Sequence, residues 1–436
     1  MKLQWKTGIL TGLVATASMA IYAAGFQQEE SSTQRIIEAG QANPNLQKLM
    51  QQLDKRIAGN TEDYEAGLLK VLITFNKGML DQAIAEVDAL IKRAPDFHLA
   101  HLVKGDLLLA RVGQVSDIGE NPILQKLGRE ERERLQLLRD EAYARLRASL
   151  SRQLGNKVPL QLMNLAPSVD IAVLVEKGSN RLYIYEHDGD GRPPRLVRDY
   201  YVSTGKVRGD KVTSGDLKTP EGVYFVTAWI PDEKLPTKYG IGAFPVNYPN
   251  EYDMKLGKTG HGIWLHGVDN GFYSRPPLDS EGCVVLPNID LQGLKKEIKP
   301  GVTPVVITEQ ASWVTPLEWQ QYRESVLSAL EKWRADWESM DVEAYLSHYD
   351  NDFWSNSHTL KSWAARKRLV AQGKTWQKVK LSDISLLAYP DKTGTDPMVV
   401  ARFRQRYTSN NYQGDLSKRI YLRKQGSEWR ILYEGG

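Results

Sequence analysis

The chain has 436 residues and a formal net charge of +4, with 41% hydrophobic and 25% charged residues. That length predicts two to four domains, and the composition is ordinary for a globular chain with a sizeable core. The charge is too small and too dispersed for nucleic-acid binding, and the single cysteine, Cys283, excludes an internal disulfide and a dithiol redox cycle within the chain.

In chain order, Lys2 and Lys6 flank an uncharged run over 7–25, and the first acid is Glu29. A positive start followed by an apolar stretch and small residues is the layout of an export signal. Cleavage after Ala20 or Gly25 fits it, and so does retention as an anchor, since a spanning helix needs about 20 apolar residues. Residues 1–26 are therefore expected to be a signal peptide or membrane anchor. The rest of the chain is expected in the periplasm, secreted across or anchored to the inner membrane. Residues 27–45 read as a polar tether.

Residues 46–160 read as a helical domain. Leu80, Ala83, Ile84, Val87, Leu90 and Ile91 recur at spacings of three and four, and Pro95 breaks the pattern before it resumes at Phe97. One repeat resembles a tetratricopeptide-like hairpin. The stretch 129–152 is heavily charged and reads as a solvated helix face.

From Asp170 the period changes to two. The runs 171–175, 182–185, 200–202, 222–228, 262–265 and 302–307 read as strands, giving a mostly β domain over 168–309. Beyond it, 317–436 reads as helices over 319–340, 342–349 and 360–372. Four antiparallel strands follow, over 379–389, 398–408, 418–424 and 429–433. The fold class expected is multidomain α+β: a helical region, a mostly β domain and an α+β cone.

The residues that carry chemistry lie in Gly260-His261-Gly262-Ile263-Trp264-Leu265-His266-Gly267 and in Ser280-Glu281-Gly282-Cys283-Val284-Val285. Only a thiolate attacks well, and a neighbouring imidazole can take the thiol proton and hold a thiolate–imidazolium pair. Gly282 allows a tight bend at the nucleophile. The backbone N–H groups of Gly282 and Cys283 are candidates for an oxyanion hole. His261 and His266 are separated by an odd number, so on one strand they face opposite sides. His266, beside Gly267, is the favoured base, while His261 hydrogen-bonds in a loop or lines the cleft. Zinc ligation by His261, His266 and Asp269 or Asp279 does not match the helical His-Glu-x-x-His spacing. His348 and His358 show no metal spacing either, so no metal and no cofactor are expected.

The arrangement His266-Gly267 followed by Ser280-x-Gly282-Cys283 resembles the L,D-transpeptidase catalytic domain (YkuD-type) family. Thr219-Pro220-Glu221-Gly222 is similar to its upstream Thr-Pro-x-Gly segment, and Asn247-Tyr248-Pro249-Asn250 resembles a segment of one of its subgroups. The resemblance implies a β-rich fold and a peptidoglycan target, the bond between meso-diaminopimelate and D-alanine in tetrapeptide stems. Cys283 would attack, His266 would move the proton, and a backbone carbonyl at Gly267 would orient the imidazole. The expected outcome is passage of the acyl group to an amine, giving a 3-3 crosslink, with passage to water as the alternative. Passing it to water makes the enzyme an L,D-carboxypeptidase that trims stems to tripeptide.

Many crosslinking members carry Arg two residues after the cysteine, where this chain has Val285, and His where it has Glu281. Arg275 is then the candidate partner for a substrate carboxylate, with Ser280 and Tyr248 as further positioning candidates. The region 317–436 is similar to nuclear-transport-factor-like (SnoaL-like) cones. The combination resembles L,D-carboxypeptidases that set cell shape. The expected partners are peptidoglycan stems and, through the helical region and the cone, other cell-wall proteins. A non-catalytic wall-binding scaffold, with Cys283 inert in the core, is the competing reading.

Overall fold

The computed structural model describes residues 44–113, 118–119, 126–151, 156–189, 191–390 and 396–436. The expected signal or anchor over 1–26 and most of the tether lie outside them. Among the described residues no helix is long and apolar enough to cross a membrane. The chain divides into two units, residues 1–139 and 140–436.

The first unit is helical: α1 (Pro44–Gly59), α2 (Tyr64–Asn76), α3 (Leu80–Arg93), α4 (His98–Leu109) and the start of α5 (Arg129–Ser151). Asp63 caps α2 by accepting from the Ala66 N–H. Ala83, Ile84, Val87 and Leu90 are buried on one face of α3, as the periodicity predicts.

The second unit opens with β1 (Val158–Pro159) and β2 (Leu162–Asn164). Its central part then holds β3 (Ile171–Glu176), β4 (Arg181–Glu186), β5 (Arg195–Tyr201), β6 (Thr204–Gly205), β7 (Gly222–Phe225), β8 (Ile230–Pro231) and β9 (Gly242–Pro245). There follow α6 (Glu251–Lys255), β10 (Trp264–His266), β11 (Leu278–Ser280), β12 (Val284–Val285), α7 (Asn288–Lys295) and β13 (Pro304–Thr308). A five-stranded sheet has the order β5-β4-β3-β13-β7, and a four-stranded sheet the order β12-β10-β9-β8.

Strand side chains alternate faces, and in β3 both faces are buried. Val173 and Val175 face a core shared with Phe244, Leu265 and Leu286 of the four-stranded sheet. Ala172 and Leu174 face a second core built with Leu387, Val400 and Tyr421. Burial on both faces explains the unbroken apolar run at 171–175. Each fully buried Val or Leu contributes about 1.5–3 kcal/mol relative to exposure.

The cone follows: β14 (Trp313–Val314), α8 (Pro316–Glu338), α9 (Val342–Leu346), β15 (Tyr349–Ser355), β16 (His358–Thr359), α10 (Leu360–Gln372), β17 (Gln377–Ala388), β18 (Met398–Ser409), β19 (Tyr412–Gln425) and β20 (Glu428–Gly435). Thr315 and Glu318 form a capping box that starts α8. The cone's sheet has the order β16-β15-β20-β19-β18-β17-β2. Its last strand, β2, comes from before the central part. Leu387 pairs with Leu162, and the Leu162 carbonyl accepts from Trp319 Nε1 at 2.9 Å. Residues 158–164 therefore complete the cone rather than end the helical region.

Two further expectations change. The strand read over 262–265 begins only at Trp264, because Gly262 takes φ +75° and cannot sit in a ladder. His261 thus lies in a loop, and the parity argument against it does not apply. The charged helix α5 is not solvated throughout: Glu141 and Arg145 are 2% and 1% exposed.

Candidate active site

Strands β10 and β12 are parallel neighbours, with Leu265 opposite Val284 and His266 opposite Val285. One step back in that register, Cys283 stands beside Trp264. Residues 264 and 266 point to the same face, so Cys283 and His266 emerge on one side, and both line a single cavity of about 400 Å³.

His266 is buried, and its Nδ1 lies 2.7 Å from the Gly267 carbonyl oxygen. A carbonyl can only accept, so Nδ1 carries the proton in the neutral ring and Nε2 is the basic nitrogen. The Tyr239 ring meets the imidazole edge-on, centroids 4.9 Å apart at 75°. Burial pulls the His266 pKa down to about 4; the Gly267 carbonyl opposes that shift, while Arg275 and Lys238 add to it.

Cys283 is half-buried. Burial pushes its thiol up to about 11, against the pull of the Trp264 backbone N–H and of Lys238. Both shifts disfavour charge, so at neutral pH the resting pair is thiol and imidazole. A poorly hydrated site penalises each ion separately, which disfavours a thiolate–imidazolium pair before substrate arrives.

The turn that presents Cys283 is held by Ser280. Its Oγ donates to the Cys283 carbonyl at 2.6 Å and accepts from the Gly282 N–H at 3.1 Å. Gly282 has φ +126°, and a Cβ there would lie 2.8 Å from the Lys218 carbonyl oxygen. The Gly282 N–H is therefore engaged by Ser280 and differs from its expected oxyanion role.

Arg275 lines the same cavity, together with Lys206, Lys238, Asp269, Asp279 and Glu281. Lys206 lies 3.9 Å from Asp279 and Lys238 lies 3.9 Å from Glu281, so the lining carries both signs of charge. Arg275 Nη2 donates to the Lys238 carbonyl at 3.1 Å, and its own carbonyl accepts from the Tyr201 hydroxyl at 2.9 Å. Next to it, Ser274 Oγ donates to Glu141 Oε1 at 2.6 Å. Glu141 pairs with Arg145 at 2.8 Å, and the Arg145 guanidinium lies 3.9 Å from the centroid of the Tyr201 ring. The end of α5 thus clamps the segment that carries Arg275.

Two other candidates fall away from the cleft. His261 is exposed and does not line the cavity. Tyr248 is buried in the core, and its hydroxyl donates to the Thr259 carbonyl at 3.2 Å. Among the described residues no group of three His, Cys, Asp or Glu side chains is placed to hold a metal ion.

The family model of the L,D-transpeptidase catalytic domain matches residues 170–307, and that of a Cds6 C-terminal NTF2-like domain matches residues 325–435. Bd1075 of Bdellovibrio bacteriovorus is 30% identical, with 64% of this chain and 97% of that one covered and a TM-score of 0.56. The chain belongs to the L,D-transpeptidase family. Another structure of similar architecture is Pgp2 of Campylobacter jejuni, a helical cell shape determining protein. It is 27% identical, with 68% of this chain and 99% of that one covered and a TM-score of 0.54. No curated protein matches the chain. Cys283 and His266 lie inside the first match, and the second match covers most of the cone.

The cone holds a second cavity of about 480 Å³, lined by Trp337, Tyr345, Trp363, Tyr407, Lys367 and Lys418 among others. The Lys367 ammonium lies 4.4 Å from the Trp363 centroid and 5.0 Å from that of Trp337. Burial lowers the Lys367 pKa to about 8, with Glu434 opposing.

Proposed function

We propose that this L,D-transpeptidase-family peptidoglycan enzyme works as an L,D-carboxypeptidase in the periplasm, trimming tetrapeptide stems to tripeptides. The observation that carries the chemistry is the shared face of β10 and β12, which opens the thiol of Cys283 and the imidazole of His266 into one cleft.

As the stem carbonyl approaches, Cys283 Sγ passes its proton to His266 Nε2 and attacks. Proton transfer with attack suits a neutral resting pair, because charge develops only in the transition state. The Cys283 N–H takes the oxyanion. The C–N bond then breaks, His266 returns the proton to the leaving amine, and D-alanine departs from a thioester on Cys283. Water attacks that thioester, giving its proton to His266 and then to the departing sulfur. Arg275 holds a stem carboxylate.

Water is favoured over an amine by Val285. The position where many crosslinking members carry Arg is here a side chain 2% exposed, placed between β10 and Ser203. It offers no cation to a second stem. The helical unit and the cone recruit substrate or wall-bound partners.

The test is acid quenching after mixing with a disaccharide-tetrapeptide, then intact-protein mass. A tripeptide adduct that vanishes in Cys283→Ala supports the reading. An adduct that persists in that variant, or none in any protein, overturns it.

A further inference from the structure

Asn288, the first residue of α7, lies five positions after Cys283 and reaches the turn that follows His266. Its Oδ1 accepts from the Val268 N–H at 3.1 Å and from the Ile241 N–H at 3.4 Å. Its Nδ2 donates to the Val268 carbonyl at 2.9 Å. In a trans peptide the N–H and C=O lie in one plane and point in opposite directions. Fastening the Val268 N–H to Asn288 therefore aims the Gly267 carbonyl the other way, toward His266 Nδ1.

Room for the Asn288 side chain depends on missing Cβ atoms. A Cβ at Gly267 would lie 2.0 Å from Asn288 Oδ1, and one at Gly240 would lie 2.1 Å away. The neighbouring polar groups have other partners. The His266 carbonyl accepts from the Leu286 N–H at 2.9 Å, and the Gly267 N–H donates to the Tyr239 carbonyl at 3.1 Å. The Gly267–Val268 peptide plane is thus set by Asn288 on one side and read by the imidazole on the other.

We propose that Asn288 is a positioning residue for His266: by fixing the Gly267 carbonyl it holds the imidazole in the tautomer with its proton on Nδ1 and a basic Nε2. It also explains why the residue after His266 is glycine, since any side chain there would displace Asn288. The inference rests on His266 acting as the base.

The test uses the full-length protein, with kinetics on tetrapeptide muropeptide and ¹⁵N NMR of labelled histidine. Asn288→Ala should lower kcat between about tenfold and a hundredfold, the scale of a small misplacement of a reacting group, with KM within about twofold. The Nδ1–H signal of His266 should lose its hydrogen-bonded shift. Asn288→Asp keeps the acceptor for the Val268 N–H and should recover most of kcat.

Gly267→Ala should impair the wild type but add little to Asn288→Ala, because the clash partner is gone. Should Asn288→Ala not fold, Asn288→Asp and Gly267→Ala still decide. An unchanged His266 shift and kcat in Asn288→Ala, or a change in KM alone, overturns the proposal. Wild-type turnover in His266→Ala would instead overturn the assigned base, while the NMR result would still report whether Asn288 holds the ring.

Discussion

Cys283 Sγ donates to the Gly262 carbonyl at 3.4 Å, so the resting side chain is a thiol whose proton is already engaged. His266 Nδ1 is turned to the Gly267 carbonyl in the same way. Each partner is held neutral by backbone oxygen, and charge separation waits for substrate.

Alkylation of Cys283 by iodoacetamide should therefore be slow at neutral pH. The thiol pKa stands at about 11, so the thiolate fraction should rise about tenfold per pH unit from pH 7 to pH 10. A rate profile levelling off near pH 7 would show a preformed ion pair instead.

The His266 shift has a stability consequence. In the unfolded chain the imidazole takes a proton near its ordinary value of 6.5, while in the fold its pKa is near 4. Between these values the unfolded state binds more protons, so stability is fully present above 6.5 and is lost as pH falls toward 4. The loss should be on the order of 3 kcal/mol. Urea midpoints of wild type and His266→Gln at pH 7 and pH 4.5 check it: the wild type should fall further between the two.

Arg275 lines the cavity with Cys283 and His266 and is proposed to hold a stem carboxylate. Arg275→Gln should raise KM between about tenfold and a hundredfold, the scale of one charge-assisted bond, with a smaller change in kcat. Tyr201→Phe removes the hydroxyl that holds the Arg275 carbonyl and should raise KM by less. Steady-state kinetics on tetrapeptide measure both, and an unchanged KM in Arg275→Gln would remove it from substrate binding.

Within α5, Glu141 and Arg145 form a buried pair. Breaking it with Arg145→Met alone should destabilise the protein by about 3–5 kcal/mol, because Glu141 is left charged and buried, whereas Glu141→Leu with Arg145→Met should recover most of the loss. Denaturant midpoints of the three proteins test this. Equal loss in single and double variants would mean that the pair acts by packing alone.

Cys283 and His266 stood out in the sequence as a candidate pair because a lone cysteine and a histidine, each next to glycine, are locally coded, and the structure brings both to one cavity. The five-stranded sheet was legible from its short apolar runs bounded by turn residues. Other features were not. Val158–Asn164 is too short to carry a period, and only Leu387 and Trp319, far along the chain, make it part of the cone. The i,i+4 spacing of Glu141 and Arg145 is the same for an exposed helix face and for a buried pair; only Tyr201 and Ser274 distinguish them. Gly262 broke the strand on which the histidine parity rested. Asn288 and Tyr239 act through backbone and ring contacts that no local pattern encodes.

The most direct measurement is mass-spectrometric product analysis of disaccharide-tetrapeptide incubated with the protein and with Cys283→Ala. We expect tripeptide and free D-alanine from the first and intact tetrapeptide from the second. A 3-3 linked dimer as the main product, or trimming that survives Cys283→Ala, would contradict the proposed carboxypeptidase.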